Sequence, residues 1–136
     1  LMDRERIIPE IRGMASRIPI MGTCAGLILL AKRGDEEVER TGQKLLGLMD
    51  VKVCRNAFGR QRESFEAPLK LSILKEPFNA VFIRAPAIVE WGEDVEVLGK
   101  LEEYVVAAKQ ENLLALAFHP ELTDDTRIHH YFLDMI

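Results

Sequence analysis

The chain has 136 residues, of which 48% are hydrophobic and 29% charged, a composition that excludes a disordered, collagen-like or coiled-coil protein. Its net charge of -4, without a basic run, argues against a nucleic-acid partner. With only two cysteines and no apolar run of roughly 18 residues, it is neither a disulfide scaffold nor a membrane span. We therefore expect one cytoplasmic domain over residues 1–136, with no membrane partner.

The first predicted elements are a helix, a strand and a second helix. The first helix begins near Pro9, because proline is tolerated in the first turn only, so residues 1–6 are expected to belong to an earlier element. A short apolar strand at residues 20–21 ends in a tight turn at Gly22. A buried helix over residues 25–32 follows.

The middle of the chain is β-rich. The charged segment 34–40 is interpreted as a solvated loop or helix face. Apolar alternation then predicts strands at residues 51–53, 69–73, 80–83, 95–98, 104–108 and 113–118. Their spacing resembles a set of antiparallel hairpins, and a terminal helix, capped by Thr123 or Asp124, closes the chain. This order of elements predicts an α/β sheet protein.

The segment from Gly22 to Gly26 has the G-x-nucleophile-x-G layout of a nucleophile elbow, with Cys24 in the nucleophile position. Such a nucleophile lies in a strained turn between strand and helix, and the flanking glycines leave room for the backbone and the substrate. The helix N-terminus is expected to favour the Cys24 thiolate. The Ala25 backbone N–H is expected to point towards the oxyanion of a tetrahedral intermediate.

The motif His119-Pro120-Glu121 supplies a base and an orienting acid. Pro120 favours extended backbone at His119, and in an extended segment Glu121 projects to the same side as His119. Each motif alone has a structural alternative, since a G-x-C-x-G segment can hold a buried cysteine and an H-P-E segment can be a turn. Together they predict a Cys24–His119–Glu121 triad.

Four segments carry a family resemblance. They are P-I-M-G-T-C-A-G-L-I-L-L-A at 19–31, R-N-A-F-G-R-Q at 55–61 with S-F-E at 64–66, F-I-R-A-P at 82–86, and F-H-P-E-L-T-D-D at 118–125. The chain resembles the class I glutamine amidotransferases and, among them, the glutaminase subunits of pyridoxal 5'-phosphate synthase, the PdxT/SNO family. The elbow and H-P-E belong to the whole class, whereas R-N-x-F-G-R-Q and F-I-R-A-P are specific to this family. The resemblance implies a three-layer, flavodoxin-like α/β fold.

The resemblance also implies an activity and a partner. Glutamine would be hydrolysed to glutamate and ammonia, and the ammonia would pass to the synthase subunit. Cys24 would form a glutamyl thioester, and His119 would protonate the ammonia and then activate water. By motif position, Arg55, Ile83 and Arg84 correspond to the family's glutamine-contacting residues. From composition alone, the two arginines would be interpreted as surface residues. No cofactor or metal is implied.

Family members begin with a strand, a helix and a Gly-Gly-Glu-Ser loop that supplies the second oxyanion donor, and none of the 136 residues matches that loop. We therefore expect an N-terminally truncated domain that lacks the first strands of the fold, and a longer natural protein. Loss of one oxyanion donor costs about 10²–10³ in rate. Two alternatives stay open: another Cys-His hydrolase of similar fold, and a catalytically incompetent piece that binds the synthase.

The remaining notable residues are interpreted as structural. Cys54 is expected to be a packed small side chain, because a disulfide to Cys24 would block catalysis. His129 and His130 lack a further ligand at helical spacing and predict no metal site. Trp91 is interpreted as a loop or edge anchor.

Overall fold

The structure, a computed structural model, describes residues 7–59 and 62–136. The predicted element at residues 1–6 and the Arg60-Gln61 end of the R-N-x-F-G-R-Q motif lie outside this range. The elements are α1 (Ile7–Met14), β1 (Ile20–Thr23), α2 (Ala25–Leu30), β2 (Ala31–Gly34), α3 (Glu36–Arg40), β3 (Met49–Cys54), β4 (Ser64–Leu69), β5 (Phe78–Ile83), β6 (Ala87–Trp91), β7 (Glu96–Leu101), β8 (Tyr104–Gln110), β9 (Leu113–Leu116), a 3-10 turn (Pro120–Leu122) and α4 (Arg127–Asp134). None of the helices in the described ranges is long and apolar enough to cross a membrane.

The described strands form one large mixed sheet and one small one. The large sheet runs in the order β1-β9-β8-β6-β3-β2, with β7 also paired to β8, and the small sheet is the pair β4-β5. The predicted antiparallel pairing is confirmed for β8 with its neighbours β7 and β9. Strand β4, most of which was not predicted, also pairs antiparallel with β5. Strands β1 and β2, for which no pairing was predicted, pair in parallel with β9 and β3.

The core joins the small sheet to the large one through aromatic rings. The Phe82 ring of β5 is stacked on Phe65 of β4 with ring centroids 4.9 Å apart, and it lies 5.7 Å from Phe118, two residues beyond β9. Both Phe82 and Phe118 are fully buried. All four residues of β9 are buried as well, as expected of a strand that is covered on both faces. The aromatic cluster therefore holds β5 beside the end of β9.

Several predicted elements have different limits in the structure: the first helix begins at Ile7, and the strand predicted at residues 113–118 ends at Leu116. The second helix ends at Leu30 instead of residue 32, because Ala31 turns to extended backbone and begins β2. The backbone N–H groups of residues 46, 47 and 48 donate to the carbonyls of residues 29, 31 and 30. These bonds satisfy the carbonyls that the end of the helix leaves without a helical partner. Of the strand predicted at residues 69–73, only Leu69 belongs to a strand, as the last residue of β4. Beyond it Leu71 is buried from a turn, so the apolar alternation there reflects core packing without a strand.

The sequence patterns also misplaced two other features. Trp91 is the last residue of β6, a strand that was not predicted, and it pairs with Val51 of β3. The N-cap position of the terminal helix is Thr126, three residues after Thr123, but its side chain makes no capping hydrogen bond. The Asp125 carboxylate accepts from the Arg127 N–H at 3.1 Å instead. Thr123 instead closes the preceding 3-10 turn, because its hydroxyl donates to the Pro120 carbonyl and accepts from the backbone N–H of residue 125.

Candidate active site

Cys24 lies in a strained turn between β1 and α2. Its φ of 54° and ψ of -109° place it in a region that a residue with a side chain rarely adopts. The Cys24 N–H donates to the Leu116 carbonyl at 2.8 Å, and the Cys24 carbonyl accepts from the Leu27 N–H at 3.0 Å. These bonds to β9 and α2 hold the strained backbone in place. The predicted strand-turn-helix context of the elbow is confirmed.

The two elbow glycines have different roles. An added Cβ at Gly22 would lie 2.6 Å from the Gly26 carbonyl oxygen, so this position requires glycine. A Cβ at Gly26 would meet nothing within 4 Å. The close approach of the backbone therefore depends on Gly22 alone.

The pKa of Cys24 is raised, because burial outweighs the stabilisation of the thiolate that was expected from the helix N-terminus. Burial raises the pKa of Cys24; the Ala25 backbone N–H works to lower it, and the charge of Glu121 raises it further. The N-terminus of the short helix α2 does not compensate for the cost of burying a charged thiolate. The Sγ atom donates to the Ile83 carbonyl at 3.6 Å. A base is consequently needed to form the thiolate.

His119 and Glu121 form a hydrogen-bonded pair. The His119 Nδ1 atom lies 2.7 Å from Glu121 Oε2. His119 is extended, as Pro120 predicts, but Glu121 lies on the 3-10 turn, so extended alternation is the wrong reason for the contact. Although partial burial works to raise the pKa of Glu121, its own backbone N–H and the His119 ring lower it below its usual value. Glu121 is thus an ionised acceptor that fixes the His119 ring.

Strand β5 supports both the cysteine and the histidine. The backbone N–H of His119 donates to the Val81 carbonyl at 2.8 Å, while the Cys24 thiol donates to the Ile83 carbonyl. Carbonyls two residues apart on a strand point towards the same edge. One edge of β5 therefore anchors both motifs, and Glu121 is close enough for its charge to raise the Cys24 pKa.

A pocket of about 490 Å³ opens at the elbow. Its lining residues are Cys24, Ala25, Ile28, Glu37, Gln43, Arg55, Asn56, Arg84 and Pro86. Cys24 thus shares a pocket with both predicted arginines. Ile83 and the His119–Glu121 pair are not among the lining residues; Ile83 reaches the site through its backbone carbonyl.

Sequence reasoning missed the contribution of the charged segment to this pocket. Glu37 of α3 lines the pocket, whereas the whole segment was interpreted as solvated. A helix-start signal was present, because Asp35 is an N-cap residue and is followed by two glutamates. That signal predicts a short helix, but it does not predict that the helix lies beside the Cys24 pocket.

The residues interpreted as structural have the following surroundings. Cys24 and Cys54 are both free thiols, and burial raises the pKa of Cys54, with the neighbouring Asp35 raising it further. No group of three His, Cys, Asp or Glu in the described parts of the chain is arranged to hold a metal. His129 is close enough to Glu121 for its charge to help lower the pKa of that carboxyl.

An elbow cysteine and a histidine–carboxylate pair, both bonded to β5, are groups that cysteine-dependent hydrolases use, and the family comparison gives the class as the glutamine amidotransferases. The whole chain, residues 1–136, matches the model of the SNO glutamine amidotransferase family. The chain belongs to this family.

Individual relatives and a solved structure support the same family. The pyridoxal 5'-phosphate synthase subunit PdxT of Methanosarcina barkeri is 62% identical over 137 residues, covering 100% of this chain and 68% of that protein. The subunit PdxT of Methanocella arvoryzae is 64% identical over 134 residues, covering 98% and 68%. A crystal structure of a glutamine amidotransferase superimposes with a TM-score of 0.87 at 46% identity, covering 95% of this chain and 67% of that one. The predicted α/β amidotransferase fold is thereby confirmed.

Proposed function

We propose that this glutamine amidotransferase hydrolyses L-glutamine to L-glutamate and ammonia through Cys24, His119 and Glu121. The observation that carries the proposal is the shared pocket, in which Cys24 and Ala25 lie with Arg55 and Arg84. Free glutamine carries an α-carboxylate, and guanidinium groups are strong partners for it. The arginines would hold that end while the side-chain amide reaches the thiol.

The chemistry follows from the protonation states. His119 accepts the Cys24 proton, and the sulfur attacks the amide carbon as its C=O bond opens to an oxyanion. The Ala25 N–H stabilises this oxyanion. His119 returns the proton to the nitrogen, the C–N bond breaks, and ammonia leaves a glutamyl thioester. Water, deprotonated by His119, then releases glutamate and restores the thiol.

Glu121 and Ile83 support these steps. The ionised Glu121 carboxylate accepts from His119 Nδ1 and stabilises the imidazolium that forms after proton transfer. The Ile83 carbonyl holds the resting thiol at 3.6 Å and releases it when the proton moves to His119. Ile83 therefore acts through its backbone.

The relatives named as PdxT subunits of pyridoxal 5'-phosphate synthase support a particular use of the ammonia. We propose that it passes to a synthase subunit that builds pyridoxal 5'-phosphate. The amidotransferase would then supply nitrogen and need no cofactor of its own.

The test measures glutamate release from glutamine by the natural full-length protein, alone and with the synthase subunit. Cys24→Ala should abolish release, whereas Cys54→Ala, which removes the other free thiol, should retain it. The Cys24→Ala complex should still form pyridoxal 5'-phosphate from an ammonium salt but not from glutamine. Ordinary turnover of glutamine by Cys24→Ala would overturn the assignment. Turnover of other amides without preference for glutamine would instead favour a different Cys-His hydrolase.

A further inference from the structure

The short helix α3 contacts the chain segment that carries Arg55. The Asp35 N–H donates to the Val53 carbonyl at 2.9 Å. The Asp35 carboxylate accepts from the Val38 N–H at 3.0 Å and from the Arg55 N–H at 3.3 Å. The N-cap residue of α3 thus also binds the backbone at the end of β3.

Glu37 makes a second contact, at the pocket itself. Its Oε1 atom accepts from the Asn56 side-chain amide at 2.8 Å. Both residues line the pocket together with Arg55. Residues 55–58 form a turn, and within it the bond from the Gly59 N–H to the Asn56 carbonyl is long, at 3.4 Å. The hydrogen bond from the Asn56 amide to Glu37 therefore restrains the Asn56 side of this turn, while Phe58 anchors its other end against Phe65 and Tyr104.

We propose that Glu37 is a positioning residue for glutamine binding, acting through Asn56 to hold the turn that carries Arg55. The inference rests on the proposed function, because it takes Arg55 as a ligand of the glutamine α-carboxylate. Without the Glu37 carboxylate as acceptor the turn gains conformational freedom, and glutamine binding must first restore its conformation. Loss of the Glu37 side chain should therefore weaken glutamine binding and leave kcat nearly unchanged, because Glu37 takes no part in the proton transfers at Cys24.

The variants separate positioning from direct contact. Glu37→Ala should raise KM for glutamine by roughly 5–10-fold, the effect of losing one exposed hydrogen bond of ordinary strength, with a much smaller change in kcat. Glu37→Gln retains an Oε1 acceptor and should stay within about twofold of the parent. Glu39→Ala, on the exposed side of the same helix, is the matched control for loss of a helix carboxylate.

A double-mutant cycle gives the sharper result. If Glu37 acts through Asn56, Glu37→Ala should add no further increase in KM to an Asn56→Ala background. Additive effects, or a Glu37→Gln variant as impaired as Glu37→Ala, would overturn the proposal and indicate direct contact of the carboxylate with glutamine.

Binding is measured separately from turnover. Calorimetric titration of glutamine into the full-length protein with the synthase subunit, in a Cys24→Ala background, should show the same loss of affinity in Glu37→Ala. Glutamine binding without turnover by the parent protein would refute the proposed glutaminase activity, while the affinities would still decide the role of Glu37. Unchanged affinity in Glu37→Ala would refute the positioning role.

Discussion

Replacing Gly22 with alanine tests the geometry of the elbow. The new Cβ would lie 2.6 Å from the Gly26 carbonyl oxygen, 2.8 Å from the Gly26 carbonyl carbon and 2.8 Å from Leu30 Cδ1. Ordinary contact begins at 3.4 Å, so the first turn of α2 must move by about 0.8 Å. Overpacking of this kind costs about 1–3 kcal/mol of folding free energy. Because the displaced turn carries the Ala25 N–H, kcat for glutamine should fall by roughly 10²-fold.

Gly26→Ala is the matched control. It adds the same methyl group within α2, where a Cβ meets nothing within 4 Å, and alanine is favoured over glycine in a helix by about 0.5–1 kcal/mol. Urea unfolding of the full-length protein should therefore show Gly22→Ala destabilised and Gly26→Ala at least as stable as the parent. Equal stability of the two variants would refute the reasoning.

The remaining predictions concern pH. In a Cys54→Ala background, alkylation of Cys24 by iodoacetamide should accelerate with a midpoint above the usual cysteine pKa of about 8.5, because burial and then Glu121 raise the Cys24 pKa. Glu121→Gln removes the charge of Glu121 and should lower that midpoint; a parent midpoint below about 8.5 would contradict the raised Cys24 pKa. Separately, Arg127 lowers the pKa of Asp125, so this carboxylate contributes stability above its unfolded pKa of about 3.9 that is lost as the pH falls through the lower folded pKa. Asp125→Asn should therefore unfold at lower urea than the parent at pH 7, with the difference closing in acid, and a difference independent of pH would show that the ion pair is not its source.

The sequence by itself determined the motifs whose geometry is local. The elbow is specified within five residues, because Gly22 must be small where α2 approaches and Cys24 takes up the strain. The histidine and its acid are two residues apart, so their pairing depended little on the rest of the chain. The terminal helix was likewise predicted from its apolar spacing, with an error only in its cap.

The tertiary structure decided what depends on distant segments. The resting pKa of Cys24 is set mainly by burial, which no local pattern measures. The support of Cys24 and His119 by β5, and of the Arg55 turn by α3, joins segments that lie far apart in the chain. The parallel pairing of β1 with β9 has the same origin, since strand partners are selected by packing of the whole core. Local patterns specify which groups are present, and the packed core specifies which of them meet.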